Sequence, residues 1–200
     1  MVFFVPGRKK VEMRIIVGVT GASGVIMSYY LLQALKEVTE CQVHLVVTKA
    51  AKVTWDYETN LPLTALTSLA DVVYGEEEVA ASIASGTFIT DGMIVLPCSM
   101  KTLAGIVSGY AENLLLRAAD VCLKENRRVV LCPREMPLGK IHLHNMEQAA
   151  LYGCTIIPPM LTFYNGAASV EDQIHHIIGK VLMQFGLVYA KMKPWEAEKQ

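Results

Sequence analysis

The chain has 200 residues, a formal net charge of −1 and 18% charged residues. This length suits a single domain with a sizeable core, and the near-neutral charge argues against DNA, RNA or an anionic membrane as a partner. The mean hydropathy is +0.35, but no apolar run approaches the roughly 18 residues that a membrane span needs. Because an apolar chain without a span often hides surface in subunit contacts, we expect a homo-oligomer.

The chain begins with an apolar stretch that is too short for a signal peptide, and its basic residues lie on the wrong side. We expect residues 1–12 to be a flexible extension, with Met13 an equally good start, and residues 13–200 to form one domain. The five cysteines are odd in number and show no CxxC spacing. They predict neither disulfides nor a zinc site, and they favour a reduced protein of the cytoplasm.

Apolar β-branched runs alternate with amphipathic segments along the whole chain. The runs predict strands at 14–19, 43–48, 70–74, 93–97, 128–133 and 155–158. The amphipathic segments predict helices at 25–38, 50–59, 79–85, 101–109, 113–125, 142–152 and 170–185. This alternation indicates a three-layer, doubly wound α/β fold, Rossmann- or flavodoxin-like, with a parallel sheet covered by helices on both faces. Ligands of such folds bind where the strands end.

The first strand is followed by Thr-Gly-Ala-Ser-Gly at positions 20–24 and then by a helical pattern. Glycines allow the backbone to approach an anion closely, and the first helical turn offers N–H groups without intrahelical partners. The spacing lacks the G-x-G-x-x-G pattern, and the second strand ends in Thr48 and Lys49 rather than in an acid. A Gly-Lys-Ser/Thr motif is also missing. These patterns favour a mononucleotide, and FMN suits the fold best.

Residues with reactive or charged side chains follow two of the later predicted strands. Cys98 follows Pro97 and could be read as a nucleophile, but none of the five histidines follows a strand to act as its base. We therefore favour Ser99 as a hydrogen-bonding group for the phosphate or the flavin. Arg134 and Glu135 follow the fifth strand, where an arginine can grip phosphate and a carboxylate can move a proton. A plain surface ion pair is the alternative.

Six motifs in register resemble the UbiX-like flavin prenyltransferases over residues 13–195. They are Thr-Gly-Ala-Ser-Gly at 20–24, Pro-Cys-Ser at 97–99, Arg-Ala-Ala-Asp-Val at 117–121 with Leu-Lys-Glu at 123–125, Pro-Arg-Glu at 133–135, Ile-His-Leu at 141–143 and Phe-Tyr at 163–164. The stretch 84–101 is similar to the branch of that family associated with phenolic (hydroxyarylic) acid decarboxylases.

The resemblance implies a metal-independent reaction. A dimethylallyl group from dimethylallyl monophosphate joins N5 and then C6 of reduced FMN, a fourth ring closes, and phosphate leaves. The prenylated FMN serves a separate UbiD-like decarboxylase, and members of the family form large homo-oligomers, commonly dodecamers.

The resemblance also implies the residues of the site. The flavin-binding residues are Gly21, Ala22, Ser23, Thr48, Ser99, Met100, Lys101, Thr102 and Arg134. The residues expected to bind the prenyl phosphate are Tyr164, Lys180, Arg117 and Lys124. The residues expected to act in catalysis are Ser23, Glu58, Lys124 and Glu135.

Three positions depart from the family pattern: Val79 replaces a tryptophan, Lys180 an arginine and His144 a glutamate. The first two leave open whether the donor is a monophosphate or a diphosphate. A flavin-dependent cysteine decarboxylase is one alternative, but it needs a catalytic histidine and an asparagine that the stretch 97–102 lacks. A non-catalytic flavin carrier or accessory protein of a decarboxylase complex is the other.

Overall fold

The structure is a computed structural model, and it describes residues 13–195. The strands are β1 (Met13–Val19), β2 (Cys41–Val47), β3 (Val72–Gly75), β4 (Gly92–Cys98), β5 (Arg128–Pro133) and β6 (Cys154–Ile156). The helices are α1 (Ile26–Val38), α2 (Lys49–Glu58), α3 (Leu63–Thr67), α4 (Met100–Ser108), α5 (Leu114–Lys124), α6 (Lys140–Leu151) and α7 (Val170–Met183). The expected extension at residues 1–12 lies outside the described part of the chain.

The six strands form one parallel sheet in the order β3-β2-β1-β4-β5-β6. The order reverses between β1 and β4, and this reversal opens a crevice at the carboxyl ends of the strands. The predicted doubly wound α/β fold is therefore confirmed.

Alternate residues of the strands feed two separate cores, one on each face of the sheet. Ile15 and Val17 of β1 pack with buried residues of α1, α2, α3 and α7. Ile16 of the same strand packs with buried residues of α4, α5 and α6. This period of two explains why the central strands are apolar throughout, since both faces are covered by helices.

Two local predictions are wrong. The predicted helix at 79–85 is only a short 3-10 helix, Ser82–Ala84, in which Ile83 is the one buried residue. Such a segment buries too little apolar surface to hold a longer helix. Conversely, α3 is absent from the predicted elements, although Pro62 precedes it and Leu66 anchors it in the core. None of the helices in residues 13–195 is long and apolar enough to cross a membrane.

Candidate active site

Thr20 joins the loops at the ends of β1 and β4. Its buried hydroxyl donates to the carbonyl of Pro97 at 2.8 Å and accepts the N–H of Ser99 at 2.8 Å. A threonine at this position serves both bonds, because one hydroxyl can donate and accept at once. These bonds hold together the two loops at the base of the crevice where the strand order reverses, and we call these two loops the floor of the crevice.

The N-termini of α2 and α4 meet above this floor. Thr48 caps α2 by accepting the N–H of Ala51 at 3.1 Å, and Ser99 caps α4 by accepting the N–H of Thr102 at 3.3 Å. Of the remaining first-turn N–H groups, that of Lys49 donates to Glu76 at 2.9 Å, and the others have no intrahelical partner. Both helix dipoles favour an anion here. Among the described residues, Lys101 has no carboxylate within ion-pair distance.

These groups surround a cavity of about 230 Å³. Its lining residues are Thr20, Gly21, Thr48, Lys49, Ala50, Glu76, Ser99, Lys101, Thr102, Asn113 and Leu116. Helix N-termini, hydroxyl groups and a lysine form the set of donors that a phosphate monoester needs. We call this cavity the phosphate cradle.

Gly21 lies too close to α2 to carry a side chain. A Cβ on Gly21 would stand 2.6 Å from the Cβ of Ala50, and the hydroxyl of Thr54 donates to the carbonyl of Gly21 at 3.1 Å. Gly24, in the same loop, has a φ of +95°, which L-residues rarely adopt. Both glycines are therefore needed for the path of the loop after β1.

The N-terminus of α1 already holds an anion from the chain itself. Glu58, the last residue of α2, accepts the N–H of Gly24 at 2.8 Å and the N–H of Val25 at 3.2 Å. The N–H groups of Gly24 and Val25 are therefore occupied. A phosphate held by this loop would have to use the residues before Gly24, and Gly21 is the residue of the loop that lines the phosphate cradle beside the starts of α2 and α4.

A second cavity of about 800 Å³ lies beyond the ends of β5 and β6. Its lining residues are Met100, Pro133, Arg134, Glu135, Met136, Leu138, Met146, Pro158, Pro159, Met160 and Leu161. It adjoins the phosphate cradle because Met100 stands between Ser99 and Lys101, which line the cradle. We call it the apolar cavity, since methionine, proline and leucine form most of its wall.

Arg134 and Glu135 are the charged residues of the apolar cavity. Both are exposed, and within the described residues they form no ion pair with each other or with another side chain. Glu135 accepts the N–H of Met136 at 3.0 Å. The surface ion pair that the sequence left open is therefore wrong, and both groups face the cavity ready for a ligand.

Arg117 and Lys124 lie on α5, outside the linings of both cavities. Arg117 donates to the carbonyl of Ala84 at 3.3 Å and pairs with Asp120 at 2.8 Å. Lys124 ends α5 close to the start of β5, which is the amino edge of the sheet. The six residues of β5 span about 20 Å, so Lys124 is about that far from the crevice. Neither residue joins the site of its own chain.

Tyr164 and Lys180 form a separate cluster at α7. The ring of Tyr164 packs edge-on against His176 at 5.8 Å and against Trp195 at 5.2 Å. Burial, and next to it the charge of Lys180, lower the pKa of His176. These residues lie outside the linings of both the phosphate cradle and the apolar cavity. Val79 is exposed and lines neither of them.

Cys98 is not a nucleophile. It is fully buried, and burial raises the pKa of its thiol well above the ordinary value, so that the reactive thiolate is absent at neutral pH. No histidine lines either of the two cavities at this edge. Residues 13–195 also contain no group of three or more His, Cys, Asp or Glu placed to hold a metal ion.

A third cavity, of about 810 Å³, lies at the amino edge of the sheet. Its lining includes Arg127, whose guanidinium already donates to the carbonyls of Gly86 and Phe88 and contacts the hydroxyl of Thr90. That cation is therefore occupied. Because ligands of doubly wound folds bind at the carboxyl ends of the strands, the carboxyl edge is the candidate active site. Glu76 lines this edge and is not among the residues expected from the sequence, although it directly follows β3.

The flavoprotein family matches residues 5–186 of the chain. A curated relative from Sedimentibacter hydroxybenzoicus, named a probable UbiX-like flavin prenyltransferase, is 59% identical over 187 residues, which are 94% of this chain and 99% of the relative. The crystal structure of a dodecameric FMN-dependent UbiX-like decarboxylase from Escherichia coli O157:H7 matches with a TM-score of 0.90 and 50% identity, covering 92% of this chain and 100% of that one. AnUbiX (PadA1), in complex with FMN and dimethylallyl pyrophosphate, matches with a TM-score of 0.92 and 43% identity, covering 94% and 100%.

Proposed function

The chain belongs to the flavoprotein family and, within it, to the UbiX-like flavin prenyltransferases, and from that membership we infer that it is a flavin prenyltransferase. We propose that it joins the dimethylallyl group of dimethylallyl monophosphate to N5 and C6 of reduced FMN and releases phosphate. One observation supports this reaction most: an anion-binding cradle and a largely apolar cavity adjoin at Met100.

The residues of the cradle suit the FMN phosphate. The N-termini of α2 and α4, the hydroxyls of Thr48, Ser99 and Thr102, and the ammonium of Lys101 would donate to its oxygens. The flavin ring would then lie past Met100, with Gly21, Ala22 and Ser23 along its edge and Arg134 at the apolar cavity. When bound, the reduced flavin supplies the nucleophilic N5 and C6 atoms.

The apolar cavity suits the prenyl donor. As the bond between the allylic carbon and the phosphate oxygen breaks, positive charge develops on the allyl group and negative charge on the phosphate. Arg134 would grip the departing phosphate, and the walls at Met136 and Met160 would exclude water from the allyl group. The reaction transfers one proton, net, from the flavin to the departing phosphate, and Glu135 in the apolar cavity and Glu58 at the loop after β1 would assist that transfer.

We propose that the four residues expected to bind the prenyl phosphate act together with a second copy of the chain. Arg117, Lys124, Tyr164 and Lys180 lie outside the cavities of their own chain, so we propose that they act in the cleft of a neighbouring subunit. The assembly is a homo-oligomer, and we propose a dodecamer in the cytoplasm. We also propose that its product passes to a UbiD-like decarboxylase.

The deciding experiment incubates the protein without oxygen with reduced FMN and dimethylallyl monophosphate. Mass spectrometry of the extracted flavin should show the added C5H8 unit, with one inorganic phosphate released per flavin. A parallel sample with EDTA tests metal independence and should give the same yield, and a sample with the diphosphate donor tests donor choice. An unmodified flavin, with the phosphate still on the donor, would disprove the proposed function.

A further inference from the structure

Glu76 places a fixed negative charge in the wall of the phosphate cradle. Its Oε1 accepts the N–H of Lys49, the first residue of α2, at 2.9 Å, and its Oε2 accepts from the side-chain amide of Asn113 at 3.2 Å. Its own carbonyl accepts the N–H of Leu114 at 2.8 Å. The carboxylate is thus held between the starts of two helices and cannot turn away without leaving donors unpaired.

Glu76 lies on the opposite side of the cradle from the apolar cavity. It follows β3, at one end of the sheet, whereas the apolar cavity follows β5 and β6, at the other end. A flavin with its ring in the apolar cavity therefore presents its phosphate to α2 and α4, with Glu76 behind that phosphate. Any group attached to the far side of the phosphate has to pass this carboxylate.

The charges around the cradle suit one phosphate and oppose a second. Lys101 faces the cavity without a carboxylate partner among the described residues, whereas the ammonium of Lys49 forms its ion pair with Glu77 and not with Glu76. A second phosphate beyond the first would carry its negative charge towards Glu76. Like charges brought together in a partly desolvated site repel strongly.

We propose that Glu76 is the specificity residue that restricts the cradle to FMN and rejects FAD, in which the flavin phosphate carries a further phosphate and an adenosine. This inference rests on the proposed function, because it takes the flavin phosphate as the occupant of the cradle. Glu76 forms part of the wall of this cradle, whose volume is about 230 Å³.

The test compares the dissociation constants of FMN, FAD and riboflavin for the wild type, Glu76→Gln and Glu76→Ala, each measured by quenching of flavin fluorescence. Glu112→Gln is the matched control, since it removes the same charge from an exposed residue next to Asn113 that does not line the cradle. The ratio of the FAD to the FMN constant is measured in one preparation, so a partly unfolded variant does not distort it.

We expect both Glu76 variants to lower the FAD:FMN ratio by about tenfold or more, with riboflavin unchanged and Glu112→Gln like the wild type. Salt at 1 M should shrink the difference, because it screens charge beyond about 3 Å. An unchanged ratio, or an equal loss of riboflavin and FMN, would overturn the role of Glu76 while leaving the proposed function standing. If the wild type bound no FMN at all, the proposed function would be wrong together with this inference.

Discussion

The carboxylate of Glu58 accepts the backbone N–H of Gly24 at 2.8 Å, across 34 residues of chain. This bond closes the N-terminus of α1 with a side chain from the end of α2. A residue that the family resemblance assigns to proton transfer therefore also holds the loop on which Ser23 lies.

Replacement of Glu58 should separate these two roles. Glu58→Gln keeps an oxygen that can accept the N–H groups of Gly24 and Val25, so the stability should stay within about 0.5 kcal/mol while turnover falls at least tenfold. Glu58→Ala removes the cap and should also lower the free energy of unfolding by about 1 kcal/mol. Urea unfolding and prenyl-transfer rates measure the two effects. Equal turnover for Glu58→Gln and the wild type would leave Glu58 with a structural role alone.

Removal of the Thr20 hydroxyl should loosen the floor of the crevice. Thr20→Val keeps the shape but leaves the N–H of Ser99 without its acceptor and the carbonyl of Pro97 with only the backbone N–H of residue 20, at 3.4 Å, which costs about 1–3 kcal/mol. The FMN affinity should fall with it, because Ser99 begins α4. Thr20→Ser, which restores the hydroxyl, is the control and should recover most of both. A Thr20→Val protein with wild-type stability and FMN affinity would contradict this account.

The ammonium of Lys101 should bind the phosphate of FMN and should not contact the flavin ring. Lys101→Gln should weaken FMN binding about tenfold and leave riboflavin binding unchanged, because riboflavin carries no phosphate. Lys52→Gln, at an exposed position of α2 outside the lining of the cradle, is the charge-matched control. Fluorescence titrations with both flavins test this. A parallel loss for riboflavin would show that Lys101 contacts another part of the flavin.

Mixed oligomers should reveal whether neighbouring chains share a site. Glu135→Gln damages the cleft, and Lys124→Ala damages a residue that we place in a neighbour's cleft, so each variant alone should be inactive or nearly so. When the two are co-expressed in equal amounts and mix at random, about a quarter of the sites combine an intact cleft with an intact Lys124. Activity should therefore return to about a quarter of the wild-type value.

The control for this experiment mixes Glu135→Gln with Arg134→Ala. Both changes lie in the same cleft, so no combination of these chains yields an intact site and activity should stay low. Recovery in the control, or none in the mixture with Lys124→Ala, would contradict a site shared between neighbouring chains.

The buried thiols should make the protein less stable in alkali. Burial raises the pKa of Cys122 and of Cys154 to about 11 and that of Cys132 to about 12, whereas thiols of the unfolded chain ionise near pH 8.5. Their contribution to stability is therefore complete below about pH 8.5 and is lost as the pH rises towards 11, because only the unfolded state releases the protons.

Urea unfolding at pH 8 and pH 10 measures this loss. Cys122→Ala should reduce the loss of unfolding free energy between the two pH values by about 1–2 kcal/mol relative to the wild type. The cavity left by the smaller side chain lowers stability equally at both pH values, so it does not affect this difference. The same loss in both proteins would show that Cys122 does not titrate on unfolding.

The sequence was sufficient to predict those site residues whose location depends only on where a strand ends. The carboxyl ends of parallel strands share one edge of the sheet. Residues that follow the strands therefore meet in one cavity, as do Thr48, Ser99, Lys101 and Thr102. Glu76 also follows β3 but is not among the predicted site residues, because the predicted strand ends at residue 74, before the observed end of β3 at Gly75.

Contacts that depend on side-chain direction could not be predicted. Nothing local indicates that Glu58 reaches back to Gly24, or that Lys124 lies away from the cleft at the other end of α5. Lys124 lies away from the cleft because it is the last of the eleven residues of α5, a helix that begins at the cradle and ends at the amino edge of the sheet. The predicted helix at 79–85 is wrong for a different reason, because only Ile83 of this segment is fully buried, while Ala81 and Ala84 are too small to add much buried apolar surface.

Helix α2 acts as a strut between the two halves of the site. Its first turn is capped at the cradle by Thr48, and its last residue, Glu58, grips the loop before α1, about 15 Å away along the helix axis. One helix therefore sets the distance between the phosphate cradle and the loop that carries Ser23. Both ends of the candidate site are thus positioned by a single element and not by two loops that vary independently.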